Sequence, residues 1–144
     1  MESRTFRTHS EEETIALGRQ LARELAHKVV LLIGNLGAGK TTLAKGIVQG
    51  RNGTAPEEVS SPTFTLIHQY GVEAGEPVYH VDLYRLDDAR AVERLGLEDL
   101  FATGNLVLLE WAERFPSLLP RDRTEICLRA LPDDSREIDV SVVR

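Results

Sequence analysis

The sequence predicts an α/β fold, a mixed sheet of about seven strands flanked by helices, and three observations carry that prediction. Two short aliphatic runs, Lys28–Ile33 and Leu106–Leu109, end at polar or glycine residues and read as buried strands. The first run opens into a glycine-rich loop, Gly34–Gly39, followed by a helix-forming stretch from Lys40 to about Gln49. Strand-like segments rich in Thr, Val, Ile and Tyr occupy much of the remaining chain.

Each element follows from local chemistry. Arg4–Thr8 alternates weakly and predicts a short edge strand. Ser10 with Glu13 forms a capping box, and Leu17, Leu21 and Leu25, with Ile15 and Ala22 beside them, draw one apolar stripe on a helix reaching about Ala26. Gly50–Ser61, rich in Gly, Asn, Pro and Ser, predicts an exposed loop. Thr63–Tyr70 and Pro77–Leu83 read as an antiparallel hairpin turned at Glu73–Glu76. Asp88–Phe101 has helical spacing at Val92, Leu95, Leu97 and Leu100, interrupted at Gly96. Glu125–Leu131 and Glu137–Val143 are a last strand pair around Pro132–Ser135.

The 144 residues suit one domain spanning the chain, with 42% hydrophobic and 28% charged residues, which excludes a disordered or fibrous protein. A net charge of −6 argues against an independent nucleic-acid binder, so any RNA role needs a partner. The single cysteine, Cys127, points to a reducing compartment and is expected to be buried filler. No signal region opens the chain and no run is long enough to span a membrane, so a cytoplasmic location is expected.

Gly34-Asn35-Leu36-Gly37-Ala38-Gly39-Lys40-Thr41 matches G-x-x-x-x-G-K-[S/T] in full, between a predicted strand and a predicted helix. Glycine lets the backbone reach conformations closed to other residues and leaves room for phosphate oxygens to approach the amides. The expected cradle is Leu36, Gly37, Ala38 and Gly39, continued by Lys40, Thr41 and Thr42 at a helix N-terminus whose dipole favours anions. Lys40 would reach the β- and γ-phosphates, the Thr41 hydroxyl would ligate Mg²⁺, and Thr42 would donate to the α-phosphate. Only Lys28, Lys40 and Lys45 are lysines, so a lysine at this point of the motif is not an accident of composition. The guanine-reading N-K-x-D pattern is absent, which favours ATP over GTP.

Phosphoryl chemistry with Mg²⁺ also needs a carboxylate at a strand end. Glu110 follows the best apolar run and Asp82 ends an amphipathic one, with His80 on the same face. Glu110 reads as a Mg²⁺ ligand or water-orienting base, against an exposed strand-end acid; Asp82 reads as a second acid, against a salt bridge to Arg85. His80 alone reads as structural. Thr63, at the entry to a strand, is a candidate switch residue facing the γ-phosphate, against ordinary strand entry. Trp111 packs by the nucleotide, against a partner, or in the core.

With those residues in place, the chain resembles the TsaE family of small bacterial ATPases of tRNA threonylcarbamoyladenosine synthesis. The motifs that carry the resemblance are GNLGAGKTTLAKG at Gly34–Gly46, SPTFTLIHQY at Ser61–Tyr70, VYHVDLYRL at Val78–Leu86 and LLEW at Leu108–Trp111. Asn35 departs from the pattern, standing where an acidic residue is more usual. The resemblance implies a P-loop NTPase-like fold and ATP hydrolysis that resets a complex with TsaD and TsaB, which carry out threonylcarbamoyl transfer and grip the tRNA. It gives Lys40 the phosphates, Thr41, Glu110 and Asp82 the Mg²⁺ ion and its surroundings, Thr63 a place in the switch, and Glu11 an adenine-side contact. Two other readings of the motif are a small-molecule P-loop kinase, with Arg121 and Arg123 in a lid, and a nucleotide-sensing adaptor with little turnover.

Overall fold

The computed structural model describes residues 2–60 and 66–143. Its strands are β1 (Glu2–Thr8), β2 (Val29–Ile33), β3 (Ile67–Tyr70), β4 (Val78–Asp82), β5 (Leu106–Glu110), β6 (Arg123–Ala130) and β7 (Arg136–Val143). Helices α1 (Glu11–Glu24), α2 (Lys40–Asn52), α3 (Ala89–Glu93) and α4 (Leu97–Ala102) connect them. The seven strands form one sheet in the order β1-β7-β6-β2-β5-β4-β3. The β6-β2-β5-β4 pairings are parallel, whereas β1–β7, β6–β7 and β3–β4 are antiparallel, so the expected mixed sheet is present.

Both aliphatic runs are buried because helices or turns cover both faces of the central sheet. Val30, Leu32, Leu106 and Leu108 pack under α1 and α2, with Leu21, Leu43 and Ile47. Val29, Leu31, Val107 and Leu109 point the other way, onto Val92, Leu97, Ala112 and Phe115. Each such aliphatic side chain stabilises the fold by about 1.5–3 kcal/mol, which pins the register of β2 and β5. Helices α1 and α2 touch backbone to backbone: a Cβ on Gly18 would lie 2.6 Å from the Leu43 carbonyl oxygen, and one on Gly46 would collide with the Ile15 carbonyl. That close approach brings the start of α1 beside the start of α2.

Several expectations need correction. Helix α2 continues through Gly50 to Asn52, because Gly50 packs against the Arg19 backbone and Gly53, at φ 82°, ends the helix only later. The segment beyond it is not a free loop, since Val59 is buried. Helix α1 stops at Glu24, with Leu25 extended. The predicted helix over Asp88–Phe101 is two short helices, broken where Gly96 adopts φ 76°. Residues 63–65 of the predicted first hairpin strand lie outside the described residues, and the described strand begins at Ile67. Cys127 is exposed, not buried, because strand alternation turns Ile126 and Leu128 to the core and Cys127 to the opposite face. Among the described residues no helix is long and apolar enough to cross a membrane.

Candidate active site

The chain leaves β2 at Ile33 and turns through the glycine-rich loop into α2. Gly37 at φ 82° and Gly39 at φ 104° occupy the left-handed region, which explains glycine at both places. Gly39 caps α2 without any side-chain hydrogen bond, and no acidic residue stands in the first turn of the helix. The leading amides of α2 therefore open on a cleft rather than on a capping side chain. That cleft has a volume of about 660 Å³, within the range of small-molecule sites.

Two strand ends supply its carboxylates. The parallel register of β4 and β5 sets Asp82 opposite Glu110, both almost fully buried. The Tyr84 amide donates to Asp82 Oδ1 at 2.8 Å, and the Leu83 amide donates to the Glu110 carbonyl at 3.0 Å. His80, completely buried on the same face, places Nε2 2.5 Å from Glu110 Oε2. Just beyond β5, Trp111 adopts φ 65°, a strained value for an aromatic residue, and meets the Tyr84 ring edge-on at 5.0 Å.

Lys40 stands between these groups. Only 5% of it is exposed, yet its Nζ has no hydrogen-bond acceptor among the described residues and sits 3.7 Å from the centroid of the Trp111 ring. Burial pushes its pKa below the ordinary lysine value, and the charges of Glu110, Glu113 and Asp82 oppose that shift only in part. A buried ammonium over a π-face, with no hydrogen-bond acceptor among the described residues, is a strong seat for an anionic oxygen.

The cleft gathers most of the residues singled out from sequence. Leu36, Gly37, Gly39, Lys40, Thr41 and Thr42 line one side, Asp82 and Glu110 the floor, and Glu11 the rim at the start of α1. The capping box sits just behind Glu11: the Glu13 amide donates to Ser10 Oγ, while a Glu13 carboxylate oxygen accepts from the His9 amide. Ala38 departs from expectation. It is buried and its amide donates to the Asn35 carbonyl at 3.0 Å, which closes the loop internally and keeps Ala38 off the cleft wall. Thr63 lies outside the described residues.

Other wall residues carry no signal in the sequence. Asp134 arrives from the β6–β7 turn and Arg136 from the first residue of β7, and Arg136 donates to the Gly37 carbonyl at 3.4 Å from 99 residues away in the chain. Only the sheet order, with β7 and β6 beside β2, brings them there. Tyr84 is legible in principle, since alternation beyond β4 puts it on the face of Asp82.

With this geometry in hand, similarity to known proteins narrows the reading. Residues 8–138 match the family model described as threonylcarbamoyl adenosine biosynthesis protein TsaE. The chain belongs to the TsaE family. The TsaE-family protein of Bacillus subtilis is 39% identical over 144 residues, covering 99% of this chain and 88% of that protein. That of Haemophilus influenzae is 37% identical over 146 residues, covering 97% and 90%. The crystal structure of Bacillus subtilis YdiB superposes with a TM-score of 0.77 at 34% identity, over 99% of this chain and 87% of that one. The role of the TsaE family is biosynthesis of threonylcarbamoyladenosine in tRNA, and the mixed sheet with its glycine-rich loop is the family's α/β, P-loop-like fold.

Proposed function

We propose that this TsaE-family chain is a Mg²⁺-dependent ATPase, a single domain over residues 1–144, acting in the cytoplasm with TsaD and TsaB during threonylcarbamoyladenosine formation. The observation that carries the reading is Lys40: a buried ammonium with no hydrogen-bond acceptor among the described residues, at an uncapped helix start, sharing one cleft with two buried carboxylates. The donor set fits a nucleotide with its metal. Loop and α2 amides suit phosphate oxygens, and the Thr41 hydroxyl, Glu110 and Asp82 offer the hard oxygen ligands that Mg²⁺ prefers.

In this reading Lys40 leaves the Trp111 ring for the β- and γ-phosphates, and Thr42 donates to the α-phosphate. Bound Mg²⁺ would neutralise charge on the β- and γ-phosphate oxygens. Glu110 orients a water whose oxygen bonds to the γ-phosphorus as the bond to the β–γ bridging oxygen breaks, leaving ADP and phosphate. Asp82 holds the second position at the cleft floor, Glu11 meets the adenine side, and Thr63 belongs to the segment that senses the γ-phosphate. The net charge of −6 leaves the grip on tRNA to the partner proteins.

Calorimetry beside a phosphate-release assay, with and without TsaD and TsaB, tests the reading. Release without any added acceptor is expected, and strict acceptor dependence would instead mark a kinase. Unaltered turnover in Lys40→Ala, Thr41→Ala and Glu110→Ala together would defeat the site.

A further inference from the structure

The buried histidine behind the cleft has a use that neither the loop motif nor the acid pair explains. Strand alternation places Val78, His80 and Asp82 on one face of β4, beside Leu106, Leu108 and Glu110 of β5. Val78, Leu106 and Leu108 are fully buried apolar residues of the core beneath α1 and α2, so an imidazole there is surrounded by groups that cannot solvate it. His80 is itself fully buried and does not line the cleft. An aliphatic residue in its place would continue the core; the ring is an outlier in composition as well as in position.

Its one hydrogen bond among the described residues accounts for it. Nε2 lies 2.5 Å from Glu110 Oε2, while Nδ1 is buried with no partner among the described residues. A proton on Nδ1 would be an orphan donor and would set the Nε2 lone pair against a carboxylate oxygen. The proton therefore resides on Nε2 and is donated to Oε2, which leaves Oε1 for the cleft that Glu110 lines. A carboxylate tethered by one oxygen loses the torsional freedom that a strand-end glutamate otherwise has.

We infer that His80 is a positioning residue for the hydrolytic step, holding Glu110 by Oε2 so that its other oxygen is presented to the metal-bound phosphates or the attacking water. This inference deepens the ATPase reading and rests on it for the reacting groups, whereas the His80–Glu110 tether itself does not depend on nucleotide. His80 acts through Glu110 and touches no substrate, so its loss should lower turnover and spare the phosphate contacts of Lys40 and the loop.

The test pairs two variants with a spectroscopic readout. His80→Leu removes the donor and keeps bulk, whereas His80→Gln puts an amide nitrogen the same number of bonds from Cβ as Nε2. Turnover with TsaD and TsaB is expected to fall about 10- to 100-fold in His80→Leu and to recover most of the way in His80→Gln. Affinity for ADP measured without Mg²⁺ should stay within about twofold, and His80→Leu should add no further loss in a Glu110→Gln background. In the unmodified protein, the imidazole ¹⁵N spectrum, assigned by the signal that His80→Leu removes, should show the proton on Nε2.

A proton on Nδ1 would overturn the inference, as would unchanged turnover in His80→Leu. Joint loss of ADP affinity and turnover that His80→Gln fails to restore would also overturn it, because it marks a core residue only. A wild-type protein that binds no nucleotide and releases no phosphate would sink the ATPase reading instead, while the spectrum would still decide whether the tether exists.

Discussion

The phosphate loop and the acid pair meet in one cleft, but they are built in opposite ways. The loop is local: nine consecutive residues, Gly34–Thr42, make a strand exit, two left-handed glycines and an uncapped helix start. The acid pair is assembled at long range, by the parallel register that sets Asp82 against Glu110 from separate strands. In the proposed function the local device would bind whatever offers phosphate, since what it presents is amides and one ammonium. In the same proposal the long-range device would set where a metal and a water sit, and so would govern chemistry more than affinity.

That division gives the first two predictions. Glu110→Gln should cut phosphate release about 1,000-fold, or about 4 kcal/mol of barrier, with ADP affinity nearly unchanged. Lys40→Ala should do the reverse first, weakening nucleotide binding about 100-fold, near 2.7 kcal/mol, by calorimetry. Equal losses of affinity in both variants would erase the distinction between the two regions.

The same division governs which features are legible in the sequence. Gly34–Thr41 announces itself because every contact it needs is encoded within eight neighbours. Glu110 and Asp82 are visible as strand-end acids, but their opposition is not, because register depends on which strands pair. Arg136 is invisible, since nothing near it in the chain refers to the Gly37 carbonyl it reaches. His80 reads as merely structural because its partner Glu110 lies 30 residues away. Gly96 is visible in the sequence as an interruption, but that it breaks the segment into two helices, and that α2 runs on through Gly50, turn on backbone conformation and packing that spacing does not register. The exposure of Cys127 is hidden for a similar reason: alternation fixes that it opposes Ile126, but not that its face of the sheet is left open.

A third prediction asks whether the loop is positioned by itself or by the helix behind it. A methyl on Gly46 would collide with the Ile15 carbonyl, so Gly46→Ala must separate α1 from α2. It should destabilise the protein by about 2 kcal/mol in urea titration and loosen ADP binding through the displaced Glu11 rim, leaving the acid pair intact. Unchanged stability would show that the helix pair yields easily and that the loop needs no support from α1.

The smallest effect concerns the ammonium at the meeting point of the two regions. Lys40 in the folded protein holds its proton less tightly than an ordinary lysine, because burial disfavours the charge more than Glu110, Glu113 and Asp82 favour it. Folding without nucleotide is thus opposed while the group is charged in both states. As pH rises through the window between the lowered value and the ordinary lysine value, the folded form sheds this proton before the unfolded form does. The unfolded state then binds more protons, so stability increases with pH there, and the cost disappears above the window. Lys40→Met keeps the apolar stem and lacks the charge. It should melt about 3 °C above wild type near pH 7, equivalent to about 1 kcal/mol. Thermal melts of both proteins from about pH 7 to 10 should show the gap closing as the folded wild type sheds the Lys40 proton. Wild type melting above Lys40→Met near pH 7, with no change in the difference up to about pH 10, would mean that the carboxylates outweigh burial at Lys40 and that the acid pair is the ammonium's natural partner.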